Sequence, residues 1–310
     1  MIRKTFTLIL LALAAAFNAG AQTSASELTG DVRLMIGNDL GRNGYYEQKP
    51  IAELMGKVAD AVGPDAFLAL GDTHHYLGIG SVNDPLWMTN YELIYSHPEL
   101  QIEWCPILGN HEYRGNTQAV IDYSGVSRRW RMPSRYYTRI FDNDGTRVKV
   151  VFIDTAPIID KYRNDISEYP EACKQNAEAQ LRWLDSELSR DDNADWTIVV
   201  GHHPIYAQTP KQKSEREDMQ KRVDPILRKH KVDMYVGGHI HNFQHIRKNG
   251  IDYVTNSSAS LSRQDVTATD GTVFCSGVSG FSMLTATPSS LILSMIDNTG
   301  NIIHQVSRNK

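Results

Sequence analysis

The chain has 310 residues, 41% hydrophobic and 22% charged, which excludes collagen-like, low-complexity and disordered classes and is ample for a sizeable core. Lys plus Arg number 32 and Asp plus Glu 36, a formal net charge of −4, which argues against a nucleic-acid coat or a polybasic membrane binder. Three cysteines cannot all pair internally, so the chain is not a disulfide scaffold.

Residues Met1 to Ala21 read as a secretory leader. Arg3 and Lys4 give a positive start, Phe6 to Phe17 an apolar run, and Ala19-Gly20-Ala21 a small-x-small cleavage pattern. The apolar run is shorter than the roughly 20 residues that cross a bilayer, so no membrane span is expected. Cleavage near Ala21 leaves one domain, 22–310, in the periplasm or outside the cell. Cys105, Cys173 and Cys275 then meet an oxidising compartment. Cys105, inside IEWCPIL, is expected to be a buried free thiol, while pairing of Cys173 with Cys275 is left open.

Short apolar runs alternate with helix-like segments. Val32 to Ile36 predicts a strand, and Pro50 to Val62 a helix with Pro near its start, where it is tolerated. Ala66 to Leu70 and Ile102 to Leu108 predict buried strands, and Gln118 to Trp130 a helix. Lys149 to Ile153 reads as a strand, Ala172 to Leu188 as a helix and Trp196 to Val200 as a strand. Met219 to His230 predicts a helix and Val232 to Val236 a strand. Beyond His241 the period shifts toward two, with strands at Ile251 to Val254, Gly280 to Leu284 and Leu291 to Met295. The first part is therefore α/β and the last part mostly β, with no boundary that splits the chain.

Five polar clusters follow apolar strands: Gly37-Asn38-Asp39, Gly71-Asp72, Gly109-Asn110-His111-Glu112, Gly201-His202-His203 and Gly238-His239-Ile240-His241. Ligand sites in open α/β sheets lie outside the carboxyl ends of strands, so five such ends can converge on one crevice. Asp, Asn and His offer oxygen and nitrogen donors of intermediate hardness. A carboxylate can bridge two cations, and an Asn carbonyl binds one without adding charge. About seven such donors exceed one tetrahedral zinc and suit two metal ions. Singly, Gly-Asp is most often a turn with a cap, and His-x-His is weak; the ordered set of five is hard to reach by chance.

That ordered set resembles the calcineurin-like metallophosphoesterase superfamily, whose motifs run Asp, Gly-Asp, Gly-Asn-His-Asp/Glu, Gly-His and Gly-His-x-His. Within it the chain is most similar to small purple acid phosphatases of the tartrate-resistant type, through Asp39-Leu40-Gly41, the stretch Gly71 to Trp87, and Tyr123 to Trp130 followed by Met132-Pro133-Ser134 and Tyr136-Tyr137. The resemblance implies a four-layer fold, a β-sandwich flanked by helices on both faces, with a dinuclear centre at one edge. It implies that Asp39, Asp72 and His241 hold the first ion, that Asp72 bridges, and that Asn110, His202 and His239 hold the second. The cofactors are then two ions of iron, zinc or manganese.

Two departures matter. The family pattern Gly-Asp-x-x-Tyr places an iron-binding Tyr where this chain has His75, with Tyr76 one residue later. His75 is expected to ligate directly, giving a centre without purple absorption; a one-residue slip that brings in Tyr76 is the alternative. A further His that small purple phosphatases carry after Gly-His-x-Pro is absent from Tyr206 to Lys213, so proton delivery falls to His111. His203 could line the pocket and touch substrate or simply pack, and His74 is expected to be exposed near the site. Glu112 and Asp154 are candidates to orient a ligand histidine from behind, with a plain turn role as the alternative. Residues 207–212 and 157–170 are expected to rim the pocket.

The expected reaction is hydrolysis of phosphomonoesters by a metal-bound hydroxide attacking phosphorus in line. His111 protonates the leaving group or stabilises the phosphoryl oxygens, a role worth roughly 10²–10⁴ in rate. The substrate is a small phosphate ester or a phosphoprotein, and the protein is expected to act as a monomer without nucleic-acid partners. A phosphodiesterase or nucleotide phosphatase with the same centre, or an inactive metal-binding surface protein, are the competing readings.

Overall fold

The computed structural model describes residues 27–209, 213–263 and 265–310; the expected leader at 1–21 lies outside them. Strand β1 (Val32–Gly37) leads through helix α1 (Gln48–Val62) to β2 (Ala66–Ala69), which lies parallel to β1. Helix α1 forms because Ile51, Ala52, Met55, Ala59 and Val62 recur at helical spacing and bury one face. Pro50 sits in its first turn, where a missing N–H costs nothing. The helix stops at Gly63, whose φ of 63° closes the last turn onto the Ala59 carbonyl.

β3 (Glu103–Pro106) adds a third parallel strand. β4 (Tyr137–Asn143) and β5 (Thr146–Phe152) form a hairpin across Asp144-Gly145, both at positive φ. β6 (Trp196–Val200), β7 (Met234–Gly237), β8 (Phe243–Lys248) and β9 (Ile251–Thr255) follow. β10 (Thr272–Ser276), β11 (Gly280–Ala286), β12 (Ser290–Asp297) and β13 (Ile302–Asn309) complete the chain. The six-stranded sheet runs β13-β12-β11-β1-β2-β3 and the seven-stranded sheet β10-β8-β9-β7-β6-β5-β4. The two sheets, flanked by helices, enclose one continuous apolar core, as the β-sandwich expectation requires.

Several boundaries differ from the sequence-based expectation. The helix expected over Gln118 to Trp130 is α2 (Thr117–Asp122), capped by Asn116. It ends early because Trp130 leaves the helix path to enter an aromatic cluster with Trp87, Tyr91 and Tyr123. Arg131 then donates to the Trp104 carbonyl of β3. A short α3 (Asp160–Asn164) precedes α4 (Ala177–Leu188), which begins at the cap Asn176 and not at Ala172. The single helix expected over Met219 to His230 is two, α5 (Lys213–Arg222) and α6 (Asp224–Lys229). Pro225 lacks the N–H that would continue the hydrogen-bond ladder back to Lys221, which interrupts the run at Val223.

β1, β2 and β3 are mutually parallel, and so are β5, β6, β7 and β9. Their carboxyl ends meet at one edge. There Asn38, just past β1, bridges to Ser258, and the Asn256 side chain donates to the Asn38 Oδ1 at 2.7 Å. This buried pairing joins the two sheets where the polar clusters stand.

Candidate metal centre

Each cluster follows its strand directly. Asp39 and Asp72 follow β1 and β2, Asn110 follows β3, His202 follows β6, and His239 and His241 follow β7. Four of these turn their backbones into the left-handed region: Asp39 at φ 50°, Asp72 at 53°, His239 at 70° and His241 at 58°. Such backbone is unfavourable for residues with a Cβ and concentrates at functional sites. The loops also touch. A Cβ at Gly109 would stand 2.6 Å from the Asp72 amide, and one at Gly71 2.7 Å from the His202 Nδ1, so both positions need glycine for close approach.

The side chains converge. His202 Nε2 lies 3.2 Å and His75 Nε2 3.4 Å from Asp72 Oδ2, and His241 Nε2 lies 3.0 Å from Asp39 Oδ1. His111 Nε2 is 3.9 Å from Asp72 Oδ2. Among the described residues, four overlapping groups have donor atoms close enough to share an ion: Asp39, His75 and His241; Asp39, Asp72 and His202; Asp72, His75 and His111; and His202, His203 and His239. His75, and not Tyr76, faces this cluster; Tyr76 is exposed.

Among the buried side-chain atoms without a hydrogen-bond partner are five from the clustered residues: Asp39 Oδ1, His75 Nε2, Asn110 Oδ1, His202 Nε2 and His203 Nε2. Unpaired buried polar atoms are costly and rare in folded proteins. Five together, all of types that ligate cations, fit a metal centre. The opposite edge of several histidines is held. His75 Nδ1 meets the Gly41 carbonyl at 3.0 Å, His202 Nδ1 that of Leu70 at 2.8 Å and His241 Nδ1 that of Leu261 at 2.5 Å. Each carbonyl can only accept, so the proton sits on Nδ1 and Nε2 is left as the donor atom.

The electrostatics are those of a buried mixed cluster. Burial pushes the Asp72 carboxyl up, but the nearby imidazoles of His202, His111 and His75 overcome it and hold the group well below the usual range. Asp39 is likewise lowered, chiefly through His241, against its burial. His202 is lifted to about 10 by Asp72 and Asp39 despite burial. Burial takes His75 down to about 4 and His203 well below its ordinary value.

Other expected residues stand elsewhere. His74, expected to be exposed, is fully buried, edge-on to Trp87 with ring centroids 4.4 Å apart. The aromatic cluster under β2 draws it inward. Glu112 touches no ligand histidine; it accepts from the backbone amides of Asp72, His74 and Gly109. Asp154 accepts from the Tyr113 hydroxyl, also away from the histidines. His203 is buried, with Nδ1 2.7 Å from Thr155 Oγ1. Segment 157–170, expected to rim the pocket, includes α3, while 210–212 of the other expected rim lie outside the described residues. Cys105 is buried and free, and Cys173 and Cys275 are also free.

Sequence reasoning missed Glu215. Its Oε2 lies 2.9 Å from His239 Nε2, and the residue is only 2% exposed. It sits in the charged run KSEREDMQKR, where nothing in its spacing sets it apart.

The calcineurin-like phosphoesterase family pattern matches residues 32–243, more than half of the chain. Purple acid phosphatase 7 of Arabidopsis thaliana is 31% identical over 324 residues, covering 98% of this chain and 97% of that protein. Tartrate-resistant acid phosphatase type 5 of Oryctolagus cuniculus is 32% identical over 216 residues, 68% of this chain and 66% of that one. A solved structure of GAP50, described as the anchor in the inner membrane complex of Plasmodium, shares the fold with a TM-score of 0.77 at 22% identity over 91% of this chain and 89% of its own. Fold and donor set thus define a metal-dependent phosphatase. The chain belongs to the calcineurin-like phosphoesterases, with purple acid phosphatases among its relatives, and is a hydrolase acting on phosphoric esters.

Proposed function

We propose that the protein is a phosphomonoesterase with a dinuclear centre, in which Asp39, Asp72, His75 and His241 hold one ion and Asp72, Asn110, His202 and His239 the other. The observation that carries this reading is the set of buried donor atoms without hydrogen-bond partners, including Asp39 Oδ1, His75 Nε2, Asn110 Oδ1 and His202 Nε2. Held by these residues, two cations would supply polarisation of a phosphate ester and acidification of water.

The chain's own residues do the rest. His111 is the partly exposed histidine of the cluster, its side chain 15% accessible. Its Nδ1 donates to the Tyr76 carbonyl at 2.7 Å. Arg114 also approaches that nitrogen at 3.0 Å, but the carbonyl can only accept, so the proton stays on Nδ1. Nε2 is thereby turned toward the centre, where its protonated form can pass a proton to the departing oxygen. The His111 amide, donating to Asp72 Oδ1 at 2.9 Å, ties the acid to the bridging carboxylate. With residues 1–21 read as a leader, the enzyme would work in the periplasm or outside the cell as a single domain. No helix among the described residues is long and apolar enough to cross a membrane.

A panel of p-nitrophenyl phosphate, its bis-ester and ATP, assayed with zinc-, manganese- and iron-loaded protein, tests the reading. Wild type is expected to prefer the monoester. Asp72→Ala should abolish turnover and His111→Ala should lower kcat roughly 10²-fold or more. Preference for the bis-ester or ATP would transfer the centre to the competing phosphodiesterase or nucleotidase role. No turnover by wild type on any ester, beside an equally silent Asp72→Ala, would leave a metal-binding protein without catalysis.

A further inference from the structure

Among the candidate ligands, His239 is held differently from the rest. His75, His202 and His241 each rest Nδ1 on a backbone carbonyl and turn Nε2 inward. His239 has Nε2 engaged 2.9 Å from a carboxylate, Glu215 Oε2. Only Nδ1 remains for the cluster. Glu215 is brought there by α5, a strongly polar helix in which it and Met219 are the buried residues. Its other oxygen is filled by Lys161 Nζ at 2.7 Å and the Tyr162 hydroxyl at 2.9 Å, both from α3.

We propose that Glu215 is a positioning residue for His239. It accepts the Nε2–H, fixes the tautomer with the lone pair on Nδ1, and makes that nitrogen a stronger donor. Because Lys161 and Tyr162 share the same carboxylate, α3 and one candidate ligand are tied together by a single side chain. The inference rests on the dinuclear reading above, since it assigns Glu215 to a ligand of the second ion.

Cobalt(II) alone, titrated into metal-stripped protein and followed by its visible d–d spectrum and by elemental analysis, tests it without reference to activity. Wild type is expected to take up two ions. Glu215→Ala should weaken one of them about 10- to 100-fold and alter its spectrum while the other ion binds as before. Glu215→Gln keeps an acceptor but not the charge and should fall between; it decides the matter if the Ala variant does not fold. Tyr162→Phe, which removes a partner of Glu215 but not the carboxylate, should bind as wild type. Wild-type affinity and spectrum in Glu215→Ala, or in Glu215→Gln where that variant decides, would overturn the proposal. So would a loss in Tyr162→Phe as large as in Glu215→Ala, which would mark Glu215 as a helix-packing residue. Wild type that takes up fewer than two ions overturns the dinuclear reading itself, a result distinct from two ions bound alike by every variant.

Discussion

Glu112 accepts a hydrogen bond from the Asp72 amide at 2.9 Å through the same oxygen that accepts from the Gly109 amide at 2.7 Å. Its second oxygen accepts from the His74 amide at 3.0 Å. One buried carboxylate therefore binds the loop after β2 to the loop after β3, and so sets the distance between Asp72 and Asn110. Burial pushes its pKa up, but the His74 imidazole 3.8 Å away, helped by the Gly109 amide, brings it below the ordinary value.

Glu112→Gln should loosen this joint, because an amide NH₂ would face backbone N–H donors that need an acceptor. We expect a 10- to 100-fold loss of metal affinity or activity, with a lowered Tm of the metal-stripped protein. Metal titration beside thermal unfolding checks it; an unchanged variant in both would remove Glu112 from the site's support.

The imidazole at position 75 predicts a colour. Iron-loaded wild type should lack a tyrosinate-to-iron absorption band, and His75→Tyr should gain one, because a phenolate would then replace the imidazole whose Nε2 now points at the Asp72 carboxylate from 3.4 Å. A visible band in the wild type would mean that Tyr76 reaches the metal instead.

Asp154 predicts a pH dependence of stability. Burial pushes its carboxyl up to about 7 from the ordinary 3.8, against the Tyr113 hydrogen bond that lowers it. Between about pH 4 and about pH 7 the folded chain keeps a proton that the unfolded chain has released, so stability falls as pH rises through that window. Asp154→Asn carries no such proton. Its Tm relative to wild type should rise from pH 5 to pH 8, measured by calorimetry; a constant difference would contradict the assignment.

Away from the centre, Asp252 links the sheets. It accepts from His245 Nε2 at 2.8 Å, Arg247 Nε at 2.7 Å and Arg308 at 2.8 Å, and Arg308 comes from β13 in the other sheet. Against its burial, these hydrogen bonds hold the carboxyl below the usual range, so its stabilisation is present above about pH 4 and fades as pH falls further. Asp252→Asn should cost about 2 kcal/mol at pH 7, less than a fully buried pair because Arg247 is 53% exposed. Denaturant unfolding checks the loss, and monoesterase activity at 25 °C should be unchanged.

Much of the fold was legible where a local rule governs it. The strands ending at the five clusters declared themselves by apolar runs, and α1 by its helical spacing and its early Pro50. Two hairpin turns, Asp144-Gly145 and Asn249-Gly250, carry the left-handed signature of two-residue turns, yet β4 and β8 went unread because their apolar alternation is weak. The early ends of α2 and of the helix before Pro225 show the two ways a helical run is cut: by distant aromatic packing, which spacing does not encode, and by proline, which it does.

The sequence by itself determined the kind and order of the candidate donors, Asp39, Asp72, Asn110, His202, His239 and His241, since these are matters of residue type and of position after a strand. The resemblance those motifs carry extended this to the class of chemistry. Only the tertiary structure decided that His75 turns inward and Tyr76 outward, that His74 is buried, that Glu112 clamps backbone amides, and that Glu215 stands behind His239. Each of these is a pairing through space, such as Asn38 with Asn256 across 218 residues. Hydrogen bonds of that kind depend on where two sheets meet, which no local pattern of residues records.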